Sequence, residues 1–274
     1  MNKIIAKEEL APQIKKFVIT APAIAKNRKA GQFAILRLHE KGERFPLTIA
    51  DGDPLAGTIT IIVQEIGRST FELGKMQIGD EILDLVGPLG QPTAIHHYGR
   101  VVCIGGGVGV AEIWPVAKSL REAGNEVISI IGARNQGLLI LEAEMRDVSH
   151  QLFVTTDDGS YGIPGFVTTP LNQLIQQNIK IDHVFCIGPT LMMKAVAEQT
   201  RPFQIKTSVS LNSIMVDGTG MCGACRVNVG GVTRFACVHG PDFDAHEVDF
   251  NELLQRQKIY VQEEKKSLAL FKTD

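Results

Sequence analysis

The sequence predicts three successive units: a β-barrel, an α/β unit with a doubly wound parallel sheet, and a small cysteine-bearing C-terminal unit. Three observations predict this order. Short apolar strands separated by turn residues fill the first third. From about residue 99, apolar strands alternate with helical segments, the pattern of βαβ units. After about residue 207, glycine, cysteine and turn residues lead into a charged helical tail. The expected boundaries are 1–97, 98–206 and 207–274.

In the first unit the strand candidates are 32–38, 58–63 and 81–86, with Gly-Asp-Pro, Ile-Gly-Asp and Gly-Pro-Leu-Gly between or after them. One helix is expected there, at 69–76. In the second unit strands are expected at 100–104, 126–132, 151–155 and 183–187. Helices are expected at 111–123, 139–148, 170–177 and 191–199. The tail, 250–273, reads as one helix.

Composition narrows the function classes. Lys plus Arg (28) nearly balance Asp plus Glu (30), so there is no basic footprint for nucleic acid. Hydrophobic residues are 44% and charged residues 21%, as in an ordinary soluble globular protein. No stretch reaches the roughly 18 apolar residues of a membrane span. The first ten residues contain no apolar core of a signal peptide, so a cytoplasmic chain with reduced thiols is expected. Five cysteines in that compartment are not a disulfide framework. Three of them fall within 16 residues, which points to a metal centre.

Asp217, Cys222, Cys225 and Cys237 are the ligand candidates, at intervals x4, x2 and x11. Plant-type [2Fe–2S] loops use C-x4-C-x2-C and a later fourth Cys, and here Asp takes the first place. Glycines at 218, 220 and 223 permit the backbone turns by which N–H groups converge on sulfides. The spacing leaves two alternatives open, a structural zinc site with His239 as fourth ligand and an unmetallated turn.

Gly105-Gly106-Gly107-Val108-Gly109 follows an apolar strand and opens a helix, where N–H groups face a pyrophosphate in dinucleotide sites. The full G-x-G-x-x-G spacing is missing, because Ala111 and Glu112 follow; a tight βα turn would read the same way. A second strand end, Cys186-Ile187-Gly188-Pro189-Thr190, adds to the dinucleotide reading. In the barrel, Arg44-Phe45-Pro46-Leu47-Thr48 sits after a strand. An Arg pairs bidentately with a pyrophosphate, and a Thr can donate to a flavin ring nitrogen. Alone, the pentapeptide is equally a surface Arg and a turn Pro. Gly67-Arg68-Ser69-Thr70, at the start of the barrel helix, offers N–H groups for a second phosphate.

Together these residues resemble the ferredoxin-reductase-like flavoproteins. Within them the chain is most similar to the electron-transfer subunits of bacterial dihydroorotate dehydrogenase and the small subunits of NADH-dependent reduced-ferredoxin:NADP oxidoreductases. The resemblance runs over essentially the whole chain. It implies an FAD-binding β-barrel, an NAD(H)-binding α/β unit and an iron–sulfur unit. Arg44, Pro46, Leu47 and Thr48, with Gly67, Ser69 and Thr70, would hold FAD. Gly105, Gly106, Gly107, Val108 and Gly109, with Asp157, Asp158 and Gly159 and with Gly188 and Pro189, would hold NAD(H). Asp217, Cys222, Cys225 and Cys237 would hold a [2Fe–2S] cluster. The dihydroorotate type uses four Cys, so Asp217 points to the ferredoxin:NADP type. Two departures stand out: His239 replaces a common Asp, and Ile187 replaces a Cys before the Gly-Pro turn. Cys186 and Cys103 read as buried core thiols.

The implied activity is hydride exchange between NAD(H) and FAD and single-electron exchange with the cluster. The protein's part is positioning, with no side chain expected as a chemical catalyst. The implied partner is a larger subunit with its own flavin and [4Fe–4S] clusters, through which ferredoxin and NADP are reached in an electron-bifurcating complex. A dihydroorotate dehydrogenase subunit and a zinc-stabilised nucleotide-binding module are the alternatives.

Overall fold

The computed structural model describes residues 2–273. Seven strands form the first sheet: β1 (Asn2–Ala11), β2 (Ile14–Thr20), β3 (Phe33–Arg37), β4 (Phe45–Asp53), β5 (Thr58–Gln64), β6 (Glu81–Ile82) and β7 (Asp84–Leu89). Their order is β6-β1-β2-β5-β4-β3-β7, all antiparallel, and the sheet curls into a nearly closed barrel. Its interior is a core of fully buried Ile4, Phe17, Ile19, Leu36, Ile49, Ile59 and Ile61, the alternate residues of the strands. Two helices accompany it, α1 (Pro22–Asn27) and α2 (Arg68–Lys75). The second was expected; the first, one short turn begun by Pro22, was not.

The second sheet contains β8 (Arg100–Gly106), β9 (Glu126–Ala133), β10 (Gln151–Thr156), β11 (Ile163–Pro164) and β12 (His183–Ile187). Two strands from the last third complete it, β13 (Thr207–Ser210) and β16 (Asp242–Asp244). The order is β11-β10-β9-β8-β12-β13-β16, parallel except for β16. The chain therefore winds outward from β8 to β11 on one side, then returns to pair β12 with β8 on the other. That reversal defines a crevice at the carboxyl ends of β8 and β12. Helices α3 (Gly109–Glu122), α4 (Glu142–Asp147), α5 (Thr168–Gln176) and α6 (Thr190–Thr200) are the sheet's other elements. Apolar side chains on both faces of the strands form two cores, as a parallel sheet requires.

The last third is not a separate body. Residues 207–210 pair with β12 before the cysteine loop begins, and Asp242–Asp244 return to pair with them. Between them lie the hairpin β14 (Arg226–Val229) and β15 (Val232–Phe235) and one turn of helix, α7 (Ala236–His239). The tail is two helices, α8 (Phe250–Gln257) and α9 (Val261–Thr273), rather than one. Asp249 caps the first by accepting the N–H groups of Asn251 and Glu252.

Candidate functional site

The pentapeptide around Pro46 follows β3, as the sequence suggested, and its residues from Phe45 on open the next strand, β4. Its pairing explains how a proline fits there. From Phe45 to Thr48 the strand pairs with β3, whereas pairing with β5 begins only at Ile49. Pro46 thus lies where one edge is free and a missing N–H is tolerated. Thr48 stands directly opposite Phe33 and Pro46 opposite Ile35, so the four side chains share a face. Arg44 precedes the strand and is exposed.

At the second expected flavin element, Gly67 is the N-cap residue of α2. The Thr70 hydroxyl accepts the N–H groups of Ile66 and Gly67 at 3.0 Å each and donates to the Gly67 carbonyl at 2.8 Å. Ser69 donates to Glu43 at 2.9 Å. Both hydroxyls therefore shape the turn, and the groups left for a phosphate are the helix's own amides.

The glycine turn sits at the head of the crevice. Gly109 begins α3 so close to the next turn that an added Cβ would lie 2.5 Å from the Ile187 carbonyl oxygen and 2.8 Å from the Gly188 Cα. Its role is close backbone approach, which brings the α3 N-terminus beside Gly188 and Pro189. A cavity of about 630 Å³ opens in front of this junction. Among the expected residues it is lined by Gly106, Gly107, Asp157 and Pro189. Gly105, Val108, Gly109 and Gly188 form the turns behind it. In the 157–160 turn the Asp158 carboxylate accepts the Ser160 N–H at 2.9 Å, and these contacts hold it below the usual carboxylate range. Asp158 and Gly159 thus shape that turn and do not line the cavity.

Other walls were not foreseen: Gln64 from the barrel, Phe166, and Met192 over Gly106. Arg134 also lines it, exposed at the end of β9. Only contacts across distant segments bring Gln64, Phe166 and Met192 to the cavity, so the linear sequence carried no signal for those three, whereas Arg134 was visible as a residue bearing on the ribose end. Glu112 is different. It was visible as the residue that breaks the glycine pattern, and it sits in the first turn of α3, where loss of water raises its carboxyl and Thr48 lowers it.

Asp217, Cys222 and Cys225 lie on the loop before β14, and Cys237 lies in α7 after the β14–β15 hairpin, against Cys225. Cys225 and Cys237 are buried, each 2% exposed, with their sulfurs 3.2 Å apart. The Asp217 carboxylate accepts the Cys222 N–H at 2.8 Å and the Thr219 N–H at 2.9 Å. These backbone donors hold its pKa below the usual value. Cys222 is exposed. Gly218, Gly220 and Gly223 have φ of +73°, +87° and +68°, the turns expected of them.

The donors are arranged as two pairs, Cys225 with Cys237 and Asp217 with Cys222. Among the described residues no three such side chains gather around a single ion. Two pairs fit a [2Fe–2S] cluster, whose irons each take two protein ligands. Burial, then the neighbouring Cys225 thiol, push Cys237 up to about 12. Iron held by the two sulfurs would reverse that penalty by favouring the thiolates. His239 turns elsewhere: its Nδ1 accepts the Phe235 N–H at 3.0 Å and its ring stacks on Phe235. Cys103 and Cys186 are buried in the sheet, and loss of water raises both thiols beyond the ordinary range.

The cluster loop packs directly on the barrel. Cys225, Cys237, Met215 and Ala236 form one apolar cluster with Phe33 and Ile35 of β3, the partners of Thr48 and Pro46. The Pro46–Thr48 stretch and the thiol pair therefore both border β3, the first by strand pairing and the second by packing on the Phe33 and Ile35 side chains.

A barrel and a doubly wound sheet meeting at a nucleotide crevice form the ferredoxin-reductase-like fold. At the level of fold alone it is shared with phthalate dioxygenase reductase (TM-score 0.59, 17% identity, 83% of this chain and 85% of that one). Residues 212–249 match the iron–sulfur cluster binding domain of dihydroorotate dehydrogenase B. A dihydroorotate dehydrogenase B (NAD(+)) electron transfer subunit homolog of Thermotoga maritima is 47% identical over 271 residues, covering 99% of this chain and 95% of that one. The Streptococcus pneumoniae electron transfer subunit is 35% identical, over 88% and 97% respectively. A solved structure of an NADH-dependent reduced ferredoxin-NADP oxidoreductase superposes with TM-score 0.94 at 47% identity, over 99% and 98%. The chain belongs to the family of dihydroorotate dehydrogenase B electron-transfer subunits and their homologues.

Proposed function

We propose that this chain is the flavin- and iron–sulfur-bearing electron-transfer subunit of an NADH-dependent reduced-ferredoxin:NADP oxidoreductase. When bound, FAD and NAD(H) supply hydride chemistry and a [2Fe–2S] cluster supplies single-electron chemistry. The chain's residues do the positioning. The free edge of β4 at Pro46, Leu47 and Thr48, with Arg44 and the α2 amides behind Gly67, Ser69 and Thr70, would hold FAD. The α3 N-terminus and the Gly188-Pro189 turn would seat the dinucleotide pyrophosphate, with Asp157 and Arg134 on the cavity wall. Cys225 and Cys237 would bind one iron, and Asp217 and Cys222 the other.

The observation that carries this reading is the sharing of β3, with which Pro46 and Thr48 pair and on whose Phe33 and Ile35 side chains Cys225 and Cys237 pack. An Asp in the ligand set favours the ferredoxin:NADP type over the dihydroorotate type. No helix among the described residues is long and apolar enough to cross a membrane, in keeping with a cytoplasmic complex. The partner is a larger subunit with its own flavin and [4Fe–4S] clusters. Three of the five cysteines here are committed to the [2Fe–2S] site, too few remaining for another cluster.

Co-purification of the native complex tests the proposal. Reduced ferredoxin and NADH together should reduce NADP, with little reduction when either donor is omitted. Dihydroorotate oxidation coupled to NAD, without NADP reduction, would replace this assignment by the dihydroorotate one. A colourless chain lacking flavin absorbance would overturn both.

A further inference from the structure

The C-terminal tail crosses from the cluster loop back to the barrel, and the cofactor-holding roles above use none of it. Helix α8 sits against α6 and β14 and fastens to the cluster loop. The Arg256 guanidinium donates to the Ala224 carbonyl, between Cys222 and Cys225, at 3.1 Å, and the Gln257 side chain donates to the Asn212 carbonyl at 3.0 Å. Beyond the break at 258–260 comes α9, which packs on α2 of the barrel. Helix α9 is exposed from Gln262 to Lys266, two Glu and two Lys among them, and half-buried at Ser267, Leu268 and Phe271. A helix that is polar along most of its length bridges two bodies rather than filling a core.

Phe271 is where α9 fastens. Its ring receives two cations of α2: the Lys75 Nζ lies 4.0 Å from the ring centroid and the Arg68 Cζ 5.9 Å from it. These are the first and last residues of α2, seven positions apart, so two helical turns put them on one face. Both fall within the roughly 6 Å at which an aromatic face attracts a cation. The two ends of α2 are anchored unequally. Its end is bound into the barrel, where Leu73 is fully buried and the Gly74 carbonyl accepts the Lys7 Nζ at 2.8 Å. Its start lies outward: Ile66 and Arg68 are exposed, Arg68 donates to Glu72 at 2.9 Å and Ser69 to Glu43 at 2.9 Å. An eight-residue helix is too short to order itself in water. That outward start carries the amides assigned to the flavin phosphate, and Phe271 bears on it from outside the barrel.

We propose that α9 is a strap that holds the start of α2 in its flavin-binding form, with Phe271 as a positioning residue that acts through Arg68 and Lys75. The proposal rests on the assignment of the α2 amides to FAD. A helix already ordered spares FAD the ordering of its own site, which raises its affinity. The coupling is reciprocal, so FAD bound at α2 steadies α9 by the same factor. Arg256 fixes the near end of the tail to the cluster loop, so the strap releases from its Phe271 end.

The test titrates FAD into the full chain as wild type, Phe271→Leu and Phe271→Trp, read by flavin fluorescence. Leu keeps an apolar side chain but has no ring face, so FAD should bind about threefold more weakly or worse. Trp, the strongest aromatic partner of a cation, should restore wild-type affinity. Phe271→Leu binding FAD like wild type, or Phe271→Trp binding it no better than Phe271→Leu, would overturn the proposal. Amide hydrogen exchange of wild type with and without FAD needs no variant. FAD should protect residues 67–75 and, with them, residues 261–271. Protection confined to 67–75 overturns the strap alone. Bound FAD that leaves 67–75 unprotected overturns the assignment of α2 to the flavin, and the strap with it.

Discussion

Gly109→Ala is the sharpest probe of how the nucleotide crevice is built. The added Cβ would lie 2.5 Å from the Ile187 carbonyl oxygen and 2.8 Å from both the Ile187 carbonyl carbon and the Gly188 Cα, against 3.4 Å for ordinary contact. All three atoms are backbone, so no rotamer relieves the clash. The start of α3 must therefore back away from the β12 end by most of an ångström. Overpacking of this kind costs about 1–3 kcal/mol, and each kcal/mol lowers Tm by about 2–4 °C in a chain of this size class. The displaced α3 amides are those offered to the pyrophosphate, so NADH binding should weaken by about tenfold or more, the equivalent of 1.4 kcal/mol. Differential scanning fluorimetry and fluorescence titration with NADH read the two effects. Gly79→Ala is the control: its φ is +98° with no atom within 4 Å of the added Cβ. It should cost about 1–2 kcal/mol of backbone strain and leave NADH affinity unchanged. A Gly109→Ala protein that melts and binds NADH like wild type would refute the seating of α3 against Ile187 and Gly188.

Three further outcomes are expected. The Glu112 pKa of about 7 lies above its ordinary value of 4.5, so its contribution to stability is full below 4.5 and lost as pH rises through 7. Glu112→Gln should gain on wild type between acid and alkaline pH, by up to about 3 kcal/mol, in urea denaturation of the apoprotein; a pH-independent difference would count against the raised pKa. Asp217→Cys should change the EPR spectrum and midpoint potential of the cluster, since ligand charge and hydrogen bonding set both; unchanged values would remove Asp217 from the ligand set. Gly218→Ala places a Cβ 2.7 Å from the Ile35 Cγ1 and 2.9 Å from the Leu89 Cδ1, at φ +73°. It should push the loop off β3 and slow cluster reduction by NADH in stopped-flow, and an unaltered rate would mean that the loop's contact with β3 does not govern transfer.

Which elements were legible follows from how they are buried. Strands β8, β9 and β12 are covered on both faces and read as unbroken apolar runs, so the parallel sheet was visible. Strand β1 has charged residues at half of its central positions because its outer face is exposed, and Glu8 there pairs with Lys16 of β2. Its few buried side chains gave no alternation to read. Strand β4 carries Pro46, Gly52 and two Asp, a turn composition tolerated because part of it has one neighbour. The break between α8 and α9 at 258–260 has no glycine or proline to announce it. The same distinction governs the site. Turn motifs such as the glycine run and the cysteine loop are local, so spacing revealed them. Glu112 stood in plain view, yet its raised pKa comes first from loss of water, which only the fold supplies.

The junction of barrel, sheet and cluster loop explains why the three parts of the chain act as one device. The cluster loop is tied to the barrel's exit by Gln91, whose N–H donates to the Gly240 carbonyl at 2.6 Å and whose side chain donates to the Val238 carbonyl at 2.9 Å. Thr93 adds the bond to Asp242. The same loop is tied to the sheet, because Leu211 donates to the Pro241 carbonyl and β16 pairs with β13. A loop held from both sides cannot follow one body without the other. Thr48 and the thiol pair are thus placed by the barrel's own β3, whereas the α3 and Gly188 turns are fixed by the sheet order. An electron carrier needs distances that do not fluctuate more than it needs a reactive side chain. Here the distances are set by backbone pairing and by glycines that admit no Cβ, which is why substitutions that add a single methyl group should disturb function as much as removing a ligand.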